Sequence, residues 1–352
     1  MSSATRATCC SLLLLAPLFV TSVLPAQRQA PATAATSHQI VLDVVVTPKS
    51  GKADAPVAGL QEGDFTLLDD KTPHPITSFR AVTAAEPVSV ILLVDAVNTD
   101  YLRLNSARQQ LDKFLSANGG HLAHPTTLAF FTDNGTEIQQ NYTTDGNILK
   151  ASLDQYTIGL RSIRRSAGFY GATERFDLSL KTIKQFAAAY GRQPGRKIIV
   201  WVSPGWPLLS GPGVQLDNKM ASHVFNDVVN VSTALREARI TLYAVNPVGA
   251  GQDIGSLSYY RDFLKGVSKP SQVNVGNLAL QVLAEQSGGL VLGGSNDMSG
   301  MVQTCFHDIG AYYEITFNVP PAEHANEYHS IDFKLTTPGL VTRTRTGYYA
   351  QP

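Results

Sequence analysis

The chain has 352 residues, 43% of them hydrophobic and 16% charged, enough for one large or two modest domains with a genuine core. Lys plus Arg and Asp plus Glu each total 28, so the formal charge is zero. That balance argues against nucleic-acid and acidic-membrane partners, since both need a basic field.

At the N-terminus, Arg6 precedes a short apolar run from Leu12 to Val20, and Ala26 stands where a leader is cut. Residues 1–26 are therefore predicted to be a cleaved export signal. The run falls short of the roughly 20 apolar residues of a spanning helix, so no stable membrane span is expected after cleavage. Cys305 is then the sole remaining cysteine, and stability must come from packing rather than from an internal disulfide. No Cys/His cluster has the spacing of a structural zinc site. Residues 27–38, rich in Ala, Thr, Gln and Pro, read as a flexible tether.

Residues 39–85 form a β-rich part. Ile40, Leu42, Val44 and Val46 share one strand face, Lys49 to Lys52 make a turn, and short strands follow at Phe65–Leu67 and Ile76–Val82. From Val88 to Val94 the run is almost wholly apolar, the mark of a strand covered on both faces. A helix bearing Leu104, Leu111, Phe114 and Leu115 follows, then a strand at Thr126–Phe131. Thr173 is placed as the cap of a helix carrying Leu180, Ile183, Ala187 and Tyr190. Ile198–Val202 is another buried strand, Val224 to Leu235 a helix, Ile240–Val245 a strand, and Leu278–Glu285 a helix closed by Gly288-Gly289. Alternation of this kind over 86–309 predicts an α/β domain with a doubly wound, mostly parallel sheet. Residues 310–352 return to period two at Tyr313–Val319, Ile331–Leu335 and Val341–Tyr349. Two three-stranded ends cannot each bury a face alone, so 310–352 is predicted to pair with 39–85 as an accessory β-sandwich.

Open α/β sheets bind ligands beyond the carboxyl ends of their strands. Those ends here are Asp95-Ala96-Val97-Asn98-Thr99, Phe131-Thr132-Asp133, Ser203-Pro204-Gly205-Trp206 and Asn246-Pro247. A carboxylate followed by hydroxyl and amide side chains can hold a hard divalent cation, or can cap the next helix. Trp206 beside a Pro-Gly turn reads either as packing under a loop or as an anchor for a partner. Arg161, Arg164 and Arg165 before Phe169-Tyr170 read as a solvated charged stretch. His307, His324 and His329 read as ordinary surface or sheet residues.

The segment from Val88 to Thr99 resembles the first strand and metal-site loop of a von Willebrand factor A domain. The wider pattern resembles the von Willebrand factor A-related family of acidobacterial exported proteins. Its landmarks are Gly59-Leu60, Asp64-Phe65, Leu68-Asp69-Asp70, Ser78-Phe79, Asp95 to Thr99, Pro194 to Lys197 with Trp201 and Ser203, Gly288-Gly289, Tyr312-Tyr313 and Arg345 to Tyr349. The resemblance implies a binding or adhesion module with a metal-ion-dependent adhesion site built from Asp-x-Ser-x-Ser, a later Thr and an Asp after the fourth strand. Asp95 matches, Thr99 stands at the second Ser and Thr173 at the later Thr. Val97 replaces the first Ser, and Pro204-Gly205 stands where the Asp is expected. Asp95, Thr99 and Thr173 are thus the candidate metal ligands of a degenerate site, and Asn98 and Trp206 the candidate partner-binding residues. The chain is predicted to need no cofactor, with Mg²⁺ or another divalent cation as the one such a site would take.

Catalytic readings find little support in the residues. The first βα turn, Asp95 to Tyr101, has no glycine to admit a pyrophosphate. A phosphotransferase of the haloacid dehalogenase type needs a second Asp where Val97 stands, and Ser203 lacks the glycine that precedes a hydrolase nucleophile. The expectation is a non-enzyme, exported to the periplasm, cell surface or medium, that presents the top of its sheet to a protein or cell-surface ligand. The alternative is a scaffold component of an envelope complex with an inert site.

Overall fold

The computed structural model describes residues 39–49, 55–83, 86, 88–139, 141–157, 168–206, 216–250 and 259–352. The predicted export signal, the tether and the Arg161–Arg165 cluster lie outside the described residues.

Three sheets organise the described residues. The central one holds β5 (Ser89–Asp95), β6 (His121–Thr132), β7 (Gly135–Ile138), β8 (Thr143–Asp145), β9 (Lys197–Val202), β10 (Ile240–Val245) and β11 (Val291–Leu292). Its order is β7-β6-β5-β9-β10-β11, parallel from β6 through β11, with β7 and β8 antiparallel to β6. Numbered within this sheet, with β8 set aside, the order is 3-2-1-4-5-6, the doubly wound arrangement that reverses direction between β5 and β9.

Among the described residues six helices cover it: α1 (Tyr101–Ser116), α2 (Gly146–Thr157), α3 (Gly168–Tyr190), α4 (Asn218–Glu237), α5 (Leu280–Gln286) and α6 (Met298–Asp308). Period two on β5 sorts them into two layers. Val90, Leu92 and Val94 pack with α1, α2 and α6, whereas Ile91 and Leu93 pack with α3, α4 and α5. An unbroken apolar strand is therefore the consequence of two covered faces. Gly288 (φ +88) and Gly289 end α5, and a Cβ on Gly289 would fall 1.7 Å from the Leu242 carbonyl oxygen, so no other residue lets α5 approach β10.

The remaining strands are β1 (Gln39–Pro48), β2 (Phe65–Asp69), β3 (Thr72–His74), β4 (Ser78–Val82), β12 (Tyr312–Asn318), β13 (Glu327–Leu335), β14 (Leu340–Arg343) and β15 (Gly347–Ala350). They form two four-stranded sheets, β14-β1-β12-β4 and β15-β13-β2-β3. Each mixes strands from both ends of the chain: β1 pairs β12 antiparallel, with Leu42 opposite Ile315, and β2 pairs β13, with Leu67 opposite Phe333. Ile40, Leu42, Val44 and Val46 meet Phe65, Leu67, Phe317, Phe333 and Tyr348 in one core between the sheets. The run Val341–Tyr349, predicted as one strand, is two. The chain leaves the first sheet after Arg343 and enters the second at Gly347, because a strand crossing between packed sheets must break its ladder.

Between core and sandwich lies a layer of buried charge. Arg239, in the left-handed region at φ 51, pairs with Asp43 and with Glu314 (2.5 Å), and Arg80 reaches the same Glu314 at 2.8 Å. Arg343 pairs with Asp308, which also accepts from the Tyr243 hydroxyl at 2.5 Å, and Arg196 lies over the Tyr312 ring, 4.9 Å from its centroid. Buried ions of this kind are tolerated because each has a partner. Cys305 is buried on α6 and its thiol is held far above its ordinary range by burial and by Asp308. In native protein Cys305 should resist alkylation by iodoacetamide and become labelled only above the denaturation midpoint, read by intact mass.

Candidate functional site at the carboxyl rim of the sheet

β5 and β9 part at the switch point, and Asp95 is the last residue of β5 there. Its side chain is fully buried. One oxygen, Oδ1, accepts from the backbone N–H groups of Val97 (2.9 Å) and Asn98 (2.8 Å). The other, Oδ2, accepts from Asn98 Nδ2 (2.8 Å), Ser203 Oγ (2.7 Å) and Trp201 Nε1 (3.1 Å). Burial pushes this carboxyl above its ordinary value of 3.8, and the donors from Asn98, Ser203 and Trp201 pull the other way.

Five donors on two oxygens use up the roughly four lone-pair directions of a carboxylate. A cation at Asp95 would meet donors on both oxygens, could enter only by turning away the Ser203 hydroxyl or the Asn98 amide, and would find the side chain of Val97 where a hydroxyl ligand is needed. The residues present do not fit the Mg²⁺ site foreseen from the sequence. Asp95 closes its own loop, as an Asx-type cap does, and pins β5 to β9.

The other predicted residues are placed as follows. Thr99 is buried near the end of the loop that leads to α1, just before the capping Asp100. Thr173 does not cap a helix: α3 begins five residues earlier, and the Thr173 hydroxyl donates to the Phe169 carbonyl at 3.1 Å inside it. The residue of α3 that reaches the site is Ser179, whose Oγ accepts from Asn98 Nδ2 at 3.0 Å, so Thr173 lies six residues, about 9 Å of helix, beyond it. Thr173 is thereby removed as a ligand. Asn98 is not free to meet a partner, since its amide nitrogen is shared between Asp95 and Ser179. Trp206 is 4% exposed, donates from Nε1 to the Leu278 carbonyl at 2.9 Å, and packs edge-on to Trp201 at 5.5 Å. The expected exposed anchor is a core residue, because the Ser203–Trp206 turn folds inward over α5 rather than outward.

Exposed apolar side chains do stand at this rim, on residues that were not among the candidate site residues. Tyr101 and Leu102 open α1 directly after the Asp95 loop, and Phe169 and Tyr170 open α3. α3 runs down to β9, whose first residue, Lys197, donates from Nζ to the Gln193 carbonyl just past the helix end. The eleven helical steps from Ser179 back to Gly168 therefore carry its first turns about 16 Å past the end of β5. Met220, half exposed, lies in the first turn of α4, which likewise runs down to β10. Their signal in sequence was apolar residues at helix positions outside the buried stripe, which needs the helix start and the layer it packs on to be known. At the opposite end of the sheet, a groove of about 420 Å³ lies between the last turn of α1 and α6, lined by Phe114, Leu122, Phe306 and His307 among others, and holds none of the predicted site residues.

No family model matches the chain, and no curated protein matches it. Among solved structures, similarity is found to the pilus adhesin SpaC from Lactobacillus rhamnosus GG, at 9% identity over 86% of this chain and 44% of that one, TM-score 0.36. It is also found to proximal thread matrix protein 1 from the mussel byssus, at 11% identity over 68% of this chain and 50% of that one, TM-score 0.36. A third is the VWA domain of SpRpn10, at 14% identity over 55% of this chain and 94% of that one, TM-score 0.28. The chain thus spans half or less of the length of the first two. Among the described residues no helix is long and apolar enough to cross a membrane.

Proposed function

We propose that this chain is an exported, non-catalytic binding module of the von Willebrand factor A-related kind, adhesion-like in use, which holds a protein partner on the carboxyl rim of its central sheet. The observation that carries the reading is a division of labour at that rim. The carboxylate at the switch point is committed to internal donors, while the helix starts around it expose large apolar side chains, Leu102 at 79% and Tyr170 at 86%. Exposed aromatics grouped beside a rigid scaffold are the chemistry of interface hot spots, and they carry a solubility cost when left bare. Cofactor-free recognition fits the closed Asp95 loop, and protein rather than nucleic acid fits the neutral chain.

The test is site-directed photo-crosslinking in cells that make the protein, with a photoreactive residue at Leu102 or Tyr170 and a control at the exposed Val341 of the sandwich. A discrete protein adduct from the first two positions and none from the third is expected, and Tyr170→Ser with Leu102→Ser should weaken capture of the identified partner at least ~10-fold without loss of stability. Equal labelling from all three positions, or none from the rim, removes the reading in favour of an inert scaffold.

A further inference from the structure

A second constellation sits in the sandwich, away from the central sheet. Asp69 ends β2, Asp70 follows in the β2–β3 turn at φ 46, His329 lies on β13, and Tyr348 faces His329 across the β13–β15 ladder. One ligand atom from each of Asp69, Asp70 and His329 lies within 4.8 Å of the other two. His329 Nδ1 is 2.9 Å from Asp69 Oδ1 and 3.6 Å from Asp70 Oδ2.

The outer oxygen of each carboxylate is already engaged. Asp69 Oδ2 accepts from the Tyr348 hydroxyl at 2.7 Å. Asp70 Oδ1 accepts from the Ser330 N–H at 2.8 Å and the Ser330 hydroxyl at 2.9 Å. Both inner oxygens are thereby turned toward one nitrogen. The His329 ring is fixed as well, stacked on Tyr348 with centroids 5.0 Å apart and planes 17° apart.

An independent observation comes from the far side of the ring. Among the described residues, His329 Nε2 is buried and has no hydrogen-bond partner, and the nearest carboxylate oxygen is Glu327 Oε1 at 3.9 Å. A neutral ring that donates from Nδ1 to Asp69 leaves Nε2 as a buried lone pair with nothing to accept, whereas an imidazolium turns Nε2–H toward Glu327. If Nδ1 instead ligates a cation, Nε2 carries the hydrogen and faces Glu327, the carboxylate–histidine–metal arrangement. Ligands bound at about 2.1 Å in tetrahedral or octahedral geometry stand about 3.0–3.4 Å apart, and the two nitrogen–oxygen separations bracket that range. One imidazole with two carboxylates favours a first-row transition ion over Mg²⁺ or Ca²⁺, which prefer oxygen alone. Asp70, whose side chain is 55% exposed, provides the way in.

We infer that Asp69, Asp70 and His329 bind a single divalent transition-metal ion, Zn²⁺ first among them, that clamps the β2–β3 turn to β13. The clamp joins segments about 260 residues apart, so it ties the two ends of the sandwich together. It is independent of the rim and of any partner bound there.

The experiment uses tag-free, chelator-treated mature protein, titrated with ZnCl₂ by calorimetry and followed by thermal melts, with CoCl₂ for the visible ligand-field bands. One equivalent of Zn²⁺ should bind, raise Tm and be inert toward competing Mg²⁺. His329→Gln and Asp69→Asn should abolish binding, Tyr348→Phe should weaken it ~10-fold through the freed carboxylate, and Asp332→Asn, on the same strand, should leave it unchanged. The wild-type isotherm and Co²⁺ spectrum decide the matter even where a variant fails to fold. Absence of stoichiometric Zn²⁺ binding, retention of binding in a folded His329→Gln protein, or equal affinity for Ca²⁺ would each overturn the inference.

Discussion

Asp95→Ala is expected to lower the unfolding free energy by about 4 kcal/mol, read from urea denaturation at constant m-value. The substitution removes the shared acceptor of five donors, three of them on the loop residues Val97 and Asn98 and two on Trp201 and Ser203 of the neighbouring strand segment. Each donor stranded in a buried site costs on the order of 1–3 kcal/mol before relaxation, and the Ser203 hydroxyl can turn to a new acceptor while the indole and backbone N–H groups cannot. Asp95→Asn should fall between, because an amide keeps one acceptor oxygen and sets its own N–H₂ against the donors on the other side. Adding 10 mM Mg²⁺ should leave the wild-type Tm within about 1 °C, since an ion with no vacant ligand direction cannot stabilise the native state by linkage. A stable Asp95→Ala protein, or a clear Mg²⁺-dependent rise in Tm abolished by that variant, would restore the adhesion-site reading. The same geometry means that alanine at Asp95 or Trp206 cannot diagnose partner binding, because both residues hold the fold.

The second large effect is expected at the junction of core and sandwich. Arg239→Ala leaves Asp43 and Glu314, with side chains only 10% and 14% exposed, without their shared counter-charge, and breaking such a buried arrangement costs about 3–4 kcal/mol. Because all three groups form one unit, Glu314→Gln combined with Arg239→Ala should cost clearly less than the sum of the single changes. The pH dependence follows from Glu314. Burial raises its carboxyl, but hydrogen bonds from Arg80 and Arg239 outweigh that and hold it below the ordinary 4.5. The stabilisation is therefore present above about pH 4.5 and is lost as pH falls through the depressed folded-state value. In Arg239→Ala part of the opposing attraction is gone, so the acid-side loss assigned to Glu314 should shrink. Denaturation midpoints between pH 3 and pH 6 measure both, and an unchanged acid limb in the variant would show that Arg239 does not carry the effect.

How far the chain could be read before folding differs by feature. The layered core was legible: Val88–Val94 and Ile198–Val202, picked out by unbroken apolar character, lie side by side as β5 and β9 with Leu93 beside Trp201. Local pattern suffices there because a strand covered twice leaves no choice of residue. The period-two faces of β1, β12 and β13 were equally plain. Misread features were those whose neighbours are remote in sequence. Trp206 looked like a surface anchor because its turn is polar, yet its partners are Trp201 and the Leu278 carbonyl. Thr173 looked like a cap because the start of α3 has no apolar stripe, and a helix that projects past its sheet has no core to mark it.

Composition and periodicity by themselves determined the alternation that makes the central sheet parallel and the one-sided strands at both ends. Those are properties of short segments, and burial on one face or two writes them directly into the residue order. Tertiary structure decided what the polar residues do. Asp95 meets Trp201 and Ser203 across more than a hundred residues, and Asp69 meets His329 and Tyr348 across 260 and 279. A hydrogen-bonding group is satisfied by whichever donor or acceptor the fold brings within 3 Å, and no local pattern records that meeting.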